Sequence, residues 1–250
     1  MKKIFNANTI KMIAIVAMTI DHIAWMLFPG YSVEAVPVIM HIIGRITCPI
    51  MCYFIAEGFH HTKDVKKYTR RLFIFAFISH FAYIFSSNDF VDWKSFIPFY
   101  YGDVLNQTSV MWPLAWGLVL LRVDHSDKIK NSMKIFITII VCLITFPSDW
   151  SCIASLCVLA FGTNRGNFKK QIIYMILFVS MYSIVYFFAL DKIYGIIQMA
   201  VVLSIPIIMM YNGQLGKNKR VNKIMKYFFY LYYPLHLFII GLIQVVFLNS

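Results

Sequence analysis

Apolar residues in this chain gather into long runs bounded by short polar clusters. Nine such runs can be marked, at about 10–29, 35–59, 71–87, 105–121, 135–147, 151–163, 171–190, 193–211 and 226–248. A helix that crosses the hydrocarbon core of a bilayer needs about 20 mostly apolar residues, and most of the runs come near that length. The fifth and sixth are shorter and are joined by Pro147, Ser148, Asp149 and Trp150, so the stretch predicts either two crossings or a hairpin that does not fully cross. The pattern as a whole predicts an all-α fold: a polytopic transmembrane helical bundle of about nine spans.

Composition narrows the class further. The chain has 250 residues, 60% hydrophobic and 14% charged, whereas a soluble domain is roughly 45–50% apolar and about 25% charged. No polar block is long enough for a separate soluble domain, so residues 1–250 are expected to form a single integral membrane domain. Lys2 and Lys3 resemble the start of a signal peptide, but the apolar stretch from Met12 to Pro29 is too long for a signal core and has no small-residue cleavage site. It is expected to be a retained span. The five cysteines lie inside apolar runs. Cys48 and Cys52 share a helical face with no histidine at ligand spacing, which predicts packing and no metal site.

The net charge of +12 would point to nucleic acid in a soluble protein, but here the cations alternate from one connection to the next. Lys63, Lys66, Lys67, Arg70 and Arg71 fall in one connection; Arg122, Lys128, Lys130 and Lys134 in another; Arg165, Lys169 and Lys170 in a third; Lys217, Lys219, Arg220, Lys223 and Lys226 in a fourth. The intervening connections carry only Lys94 and Lys192 among cations, and they hold Glu34, Asp89, Asp92, Asp103, Asp149 and Asp191. Lys and Arg accumulate in short cytoplasmic loops. The N-terminus is therefore expected inside and, with nine spans, the C-terminus outside. The surplus charge is then a topology signal and calls for no nucleic-acid partner; the expected surroundings are the lipids of the inner, or cytoplasmic, membrane.

An ionisable group near the bilayer centre costs at least about 2.5–3.5 kcal/mol on insertion scales, so each one retained is a functional candidate. The candidates are Asp21 and His22 in the first span, His41, Arg45 and Glu57 in the second, His80 in the third and His236 in the last. At a rise of 1.5 Å per residue, His22 lies roughly 18 Å into its span, and Arg45 and His236 roughly 15 Å into theirs. Lys11 and His22 are eleven residues apart, about three helical turns, so a cation at the cytoplasmic mouth and an imidazole at mid-depth share one face. Asp21 points elsewhere around that helix and is better placed to meet a cation on a neighbour, with Arg45 the expected partner. Such a pair serves a site or is a buried structural ion pair. His236 follows Pro234, whose missing donor is expected to give irregular backbone at mid-span, and is read as catalytic or as lining a polar cavity. His41 and His80 have weaker claims. His60 and His61 sit at a membrane edge, and the aromatic clusters from Trp93 to Tyr101 and from Tyr227 to Tyr233 read as interfacial belts or packing.

Several of these stretches, taken in order, resemble one family. Ile10 to Ala14 and Thr19 to Ile23, then Gly44-Arg45-Ile46 with Pro49, then Glu57-Gly58-Phe59-His60-His61-Thr62, then Lys67-Tyr68 and Arg70-Arg71-Leu72, then Tyr211-Asn212-Gly213-Gln214-Leu215-Gly216 and Tyr232-Tyr233-Pro234-Leu235-His236-Leu237 are similar to the TraX family. That family is associated with N-acetylation of pilin and is similar in turn to the transmembrane acyltransferase group, which includes acyltransferase family 3 and heparan-alpha-glucosaminide acetyltransferase. Lys11 and His22 match a basic residue, ten intervening residues and a histidine that the group carries in its first span. Arg70 and Arg71, adjacent here, stand where the group has Arg-x-x-Arg.

The resemblance implies an acetyltransferase that uses cytosolic acetyl-CoA as donor, with no metal. Lys11, Lys63, Lys66, Lys67, Arg70 and Arg71 are then candidates for binding the anionic donor. His22 would act as general base or transient acetyl carrier, with Asp21, Arg45 and His236 in the catalytic group and Glu57 positioning substrate. The acceptor would be an amine or hydroxyl, on a pilin N-terminus or an envelope glycan. A different class competes: a transporter or non-catalytic membrane component of a conjugation, pilus or envelope assembly system. No inverted repeat of interrupted spans supports a transporter.

Overall fold

The computed structural model describes residues 3–87, 93–97 and 106–248. Asp89, Asp92, Asp103 and the aromatic residues from 98 to 101 lie outside the described residues, as do the side chain of Trp93 and the first position of the predicted 105–121 run. Among the described residues the fold is helical, with two isolated bridges, Phe5 to Tyr211 and Thr108 to Ser148. In order, the helices are α1 (Ala7–Leu27), α2 (Ala35–Gly44), α3 (Thr47–His61), α4 (Val65–Ser86), a short 3-10 turn (Trp93–Phe96), α5 (Met111–Asp124), α6 (Asn131–Thr145), α7 (Ser151–Thr163), α8 (Phe168–Ala189), α9 (Lys192–Gln198), α10 (Ser204–Met209) and α11 (Lys219–Ile243). A 3-10 segment (Met199–Leu203) joins α9 to α10, and a π turn (Gln244–Leu248) follows α11.

Among the described residues, five stretches are long and apolar enough to cross a membrane: Ala7–Leu27, Ala35–His61, Phe168–Ala189, Lys192–Met209 and Lys219–Val246. The protein is a helical membrane protein with several spans. α4 is as long as these, with 22 residues, but four cations occupy its first two turns. The predicted fifth and sixth runs form α6 and α7, of 15 and 13 residues. At 1.5 Å per residue these reach only about 20 Å, short of the roughly 30 Å hydrocarbon core. The turn between them is fixed by Gln107 N–H donating to Pro147 O at 2.7 Å and Asp149 N–H to Thr108 O at 2.8 Å.

Three differences from the sequence reading have physical causes. The cluster Lys66, Lys67, Arg70 and Arg71, expected in a connection, lies within α4; the Asp64 carboxylate accepts from Lys67 N–H at 2.9 Å and starts the helix earlier. Hydropathy marks the apolar part of a helix, while its cap marks its start. The second and eighth runs, read as continuous, are interrupted at Arg45 and Ile46 and at residues 199–203. Pro49 and Pro206 each lack the donor that would have bonded back across the break. Pro234, expected to give irregular backbone, sits instead inside the unbroken α11.

The helices form two compact units, Met1–Phe54 with Ile172–Tyr232, and Ile55–Gln171 with Tyr233–Ser250. In the first, α1 packs on α2 through a face rich in alanine, with Ala14, Ala17 and Ala24 buried, and small residues let helix backbones approach closely. Thr47 Oγ1 donates to Ala14 O at 3.0 Å. At Gly44 the approach of α2 to α1 leaves no room for a side chain: an added Cβ would stand 2.3 Å from the Cβ of Asp21. In the second unit, α5 packs on α7, and Ser155 Oγ donates to Pro113 O at 2.6 Å.

Candidate functional site

The bare backbone at Gly44 brings α2 against Asp21, and the polar cluster of the first unit grows from that contact. Arg45 Nη2 donates to both carboxylate oxygens of Asp21, at 3.0 Å to Oδ1 and 2.8 Å to Oδ2. Its other terminal nitrogen donates to Gln198 Oε1 at 3.1 Å. His41 Nδ1 lies 2.7 Å from Asp21 Oδ1, and against a carboxylate this nitrogen is the donor. One carboxylate thus takes three charge-assisted contacts from two side chains of α2 and its C-terminal cap, which offsets the cost of holding it among apolar helices. The His41 ring is fully buried against Trp25 and Tyr194, with centroids 4.6 and 5.2 Å away. Its Nε2 has no hydrogen-bond partner among the described residues.

The pairing of Asp21 with Arg45 matches the sequence expectation; the contacts of His41 and Gln198 go beyond it. His41 and Arg45 are four residues apart and so share a helical face. That spacing is the available signal for His41, while Gln198, from the end of α9, carries none. Tyr31 adds an aromatic edge to the cluster, 6.1 Å from Trp25 and 4.9 Å from Tyr194. Burial pushes its hydroxyl up to about 12, so it remains protonated.

His22 adjoins Asp21 on α1, half-buried. Three turns earlier, Lys11 Nζ stands over two rings, 5.2 Å from Phe54 and 5.3 Å from Phe229. Cation–π contact of this kind holds an ammonium in an apolar setting without a counter-carboxylate. Between Lys11 and His22, Thr19 Oγ1 and Tyr232 Oη are 2.7 Å apart. The tyrosine of the Tyr232-Tyr233-Pro234 stretch therefore docks on the first helix.

The remaining candidates belong to the second unit. Glu57 is tied by Arg165, whose Nε donates to Oε1 at 2.9 Å, and by His61, whose Nε2 lies 3.3 Å from Oε2. In the sequence Arg165 reads only as a topology signal. His60 Nε2 contacts Gly162 O at 3.2 Å. Lys63, Lys66, Lys67 and Arg70 are exposed, and the Lys67 to Asp64 pair at 3.5 Å is solvated, so it adds little energy. The Lys67 backbone N–H holds the Asp64 carboxyl below its usual range. Arg71 is different: half-buried, its guanidinium lies 5.9 Å from the Tyr68 ring, and its Nε has no partner among the described residues. His236 is buried, with the Tyr233 ring 5.5 Å away. His80 spends both ring nitrogens on Thr108 Oγ1 and Phe96 O, each at 3.0 Å, which links α4 to two connections. Cys48 and Cys52 are buried thiols 3.9 Å apart. Among the described residues no three His, Cys, Asp or Glu side chains gather as a metal site would require.

Comparison with known proteins gives this arrangement a context. A probable fimbrial assembly protein FimC, serogroup H1, from Dichelobacter nodosus is 27% identical over 244 residues, covering 93% of each chain. An uncharacterized protein, RP591, from Rickettsia prowazekii (strain Madrid E) is 42% identical over 53 residues, 21% of this chain and 19% of that one. No solved structure matches. The sequence matches the family described as TraX protein over residues 6–244, from the cap of α1 to the end of α11. With the match running from the first span to the last, the chain belongs to the TraX family.

Proposed function

We propose that this protein is a membrane-integral acetyltransferase that moves the acetyl group of cytosolic acetyl-CoA to an amine or hydroxyl acceptor of the pilin or envelope-glycan type. The observation that carries the reading is the Asp21–Arg45–His41 cluster, a fully partnered carboxylate beside His22 and three turns from Lys11. On this reading the acceptor nitrogen or oxygen attacks the thioester carbonyl. His22 takes the acceptor's proton and passes it to the departing CoA sulfur, so the step closes with N- or O-acetylated acceptor and free thiol. Asp21 sets the electrostatic surroundings of His22, and Arg45, already engaged by Asp21 and Gln198, orients Asp21. His236 lines the acceptor path, and Glu57 positions substrate through the element it shares with His61. The exposed cations of α4, together with Arg71 and Lys11, attract the polyanionic donor. The name of the FimC-type relative supports a pilin acceptor. The membrane arrangement we favour has the N-terminus in the cytosol, in the cytoplasmic membrane, with nine crossings, or seven with α6 and α7 as a hairpin that does not fully cross.

The test is release of CoA thiol from acetyl-CoA by the purified protein in lipid nanodiscs, with pilin-type peptides and envelope glycans supplied as acceptors. Acceptor-dependent thiol release that His22→Ala abolishes is the expected result. No release with any acceptor, from a protein that still restores pilus assembly in cells, would favour the competing reading as a non-catalytic assembly component.

A further inference from the structure

An open cleft of about 590 Å³ lies between the first turns of α1 and α11, on the loop that joins α10 to α11. Its lining is unusually rich in amides. Asn6 Oδ1 accepts from Thr9 N–H at 3.0 Å, Asn212 Oδ1 from Gln214 N–H at 2.9 Å, and Asn218 Oδ1 from Arg220 N–H at 2.9 Å. In all three the oxygen is committed to backbone, which fixes the amide's orientation and leaves the NH₂ as a donor. A brace holds the wall: Asn8 Nδ2 donates to Asn222 Oδ1 at 2.7 Å, and Asn222 Nδ2 to Gly216 O at 2.9 Å. Gly216, at φ +157°, admits the brace, since a Cβ there would stand 2.7 Å from Asn222 Oδ1.

Among the described residues that line the cleft, Lys217 is charged and none is a carboxylate, and Lys219, Arg220 and Lys223 follow on α11. Amide NH₂ groups and an ammonium are groups that oxyanions bind. The volume exceeds that of one phosphate and falls in the roughly 300–1,000 Å³ range of small-molecule clefts.

A row of contacts leads away from the cleft along the seam between α1 and α11. Asn8 meets Asn222, then Lys11 stands over Phe229, then Thr19 meets Tyr232, and His22 lies one turn beyond. From Asn8 to His22 is fourteen residues, on the order of 20 Å at the helical rise. A ligand with phosphates at one end and a reactive group on a long flexible arm matches this layout.

We propose that the cleft binds the phosphates of the acetyl donor's nucleotide, so that CoA lies along the α1–α11 seam with its thioester toward His22. The inference rests on the acetyltransferase reading and assigns that reading a donor site separate from the cations of α4. The test uses Asn6→Asp with Asn218→Asp, which keeps a capping oxygen at each helix start and replaces two donors by carboxylate. A second variant, Lys217→Gln, removes the cation and leaves both caps alone.

Binding of CoA and of adenosine 3′,5′-diphosphate is measured by calorimetry on the full-length protein in uncharged nanodiscs. The expected result is a loss of affinity for both ligands of about tenfold or more in the double variant, as for lost charge-assisted contacts, with a smaller loss in Lys217→Gln. Anionic phospholipid vesicles are expected not to displace the diphosphate. Unchanged affinity in both variants, at wild-type thermal midpoints, overturns the site while leaving acetyl transfer by the wild type intact. Full displacement by anionic vesicles overturns it in favour of a lipid phosphate. Wild-type protein that binds neither CoA nor the diphosphate overturns the site and the acetyltransferase reading together.

Discussion

Arg45 holds Asp21 through one nitrogen that reaches both carboxylate oxygens, at 3.0 and 2.8 Å. Removing one side of such a buried pair leaves the other uncompensated, so Arg45→Met is expected to lower stability by about 3–5 kcal/mol. Adding Asp21→Asn to Arg45→Met should restore much of the loss, because the orphaned charge is gone. Thermal unfolding in detergent checks both; a double variant less stable than Arg45→Met alone would contradict the pairing.

Gly44 is the contact through which this pair is made. Gly44→Ala puts a methyl where Asp21 already stands and should cost about 1–3 kcal/mol, the usual penalty of overpacking. A midpoint equal to wild type would show that α2 is not held as closely to α1 as described.

The assignment of His22 separates chemistry from packing. His22→Ala is expected to insert and fold, to bind CoA, and to lose acetyl transfer by at least about 10²-fold, the low end for loss of a general base. His236→Ala should lose less. If His22→Ala keeps near-normal transfer, or fails to fold while His236→Ala folds and is inactive, the two roles are exchanged.

The cations of α4 call for a salt series. Exposed charges act at long range and are screened within about 8 Å at physiological ionic strength. Arg70→Ala with Arg71→Ala should therefore weaken CoA binding, and the deficit should grow as salt is lowered. Affinity that stays at wild-type level at every salt concentration would leave this cluster with a topological role alone.

Topology is checked at the far end of the chain. A reporter fused after Ser250 is expected to be active only outside the cytosol. Cytosolic activity would mean an even number of crossings, and α6 and α7, each too short to cross alone, would be the first place to look.

Much of this arrangement is legible in the sequence. Long apolar runs give the helical membrane class, because a bilayer selects spanning segments chiefly by their length and hydropathy. The partnership of Asp21 with Arg45 follows from electrostatics, since a charge inside an apolar run is costly unless it is paired. Helix starts at Val65 and Lys219 escape the same reasoning, because they are set by Asp64 and Asn218, polar residues that hydropathy places in loops. The breaks near Pro49 and Pro206 are readable from missing donors, yet Pro234 shows that a missing donor alone does not end a helix. The bond of Glu57 to Arg165 spans 108 positions, and no local pattern encodes it. The Asn-lined cleft is half legible: Asn212, Gln214 and Gly216 lie in a stretch that carries the family resemblance, but uncharged amides give that stretch no chemistry to read.

The segment ahead of α1 is bonded to the loop ahead of α11. Phe5 N–H donates to Met210 O at 3.0 Å, Asn212 N–H to Phe5 O at 2.9 Å, and Ala7 N–H to Gln214 O at 2.8 Å. A chain made from its N-terminus must therefore synthesise some two hundred residues before its opening segment finds its partner. Contacts of such sequence separation form late, after the loop-closure entropy of everything between them has been overcome. Helices α4 to α7, by contrast, pack on the next helix or the next but one, and those contacts can form as the chain leaves the ribosome. Biosynthesis thus leaves the start of α1 without these three bonds until the loop ahead of α11 has been made.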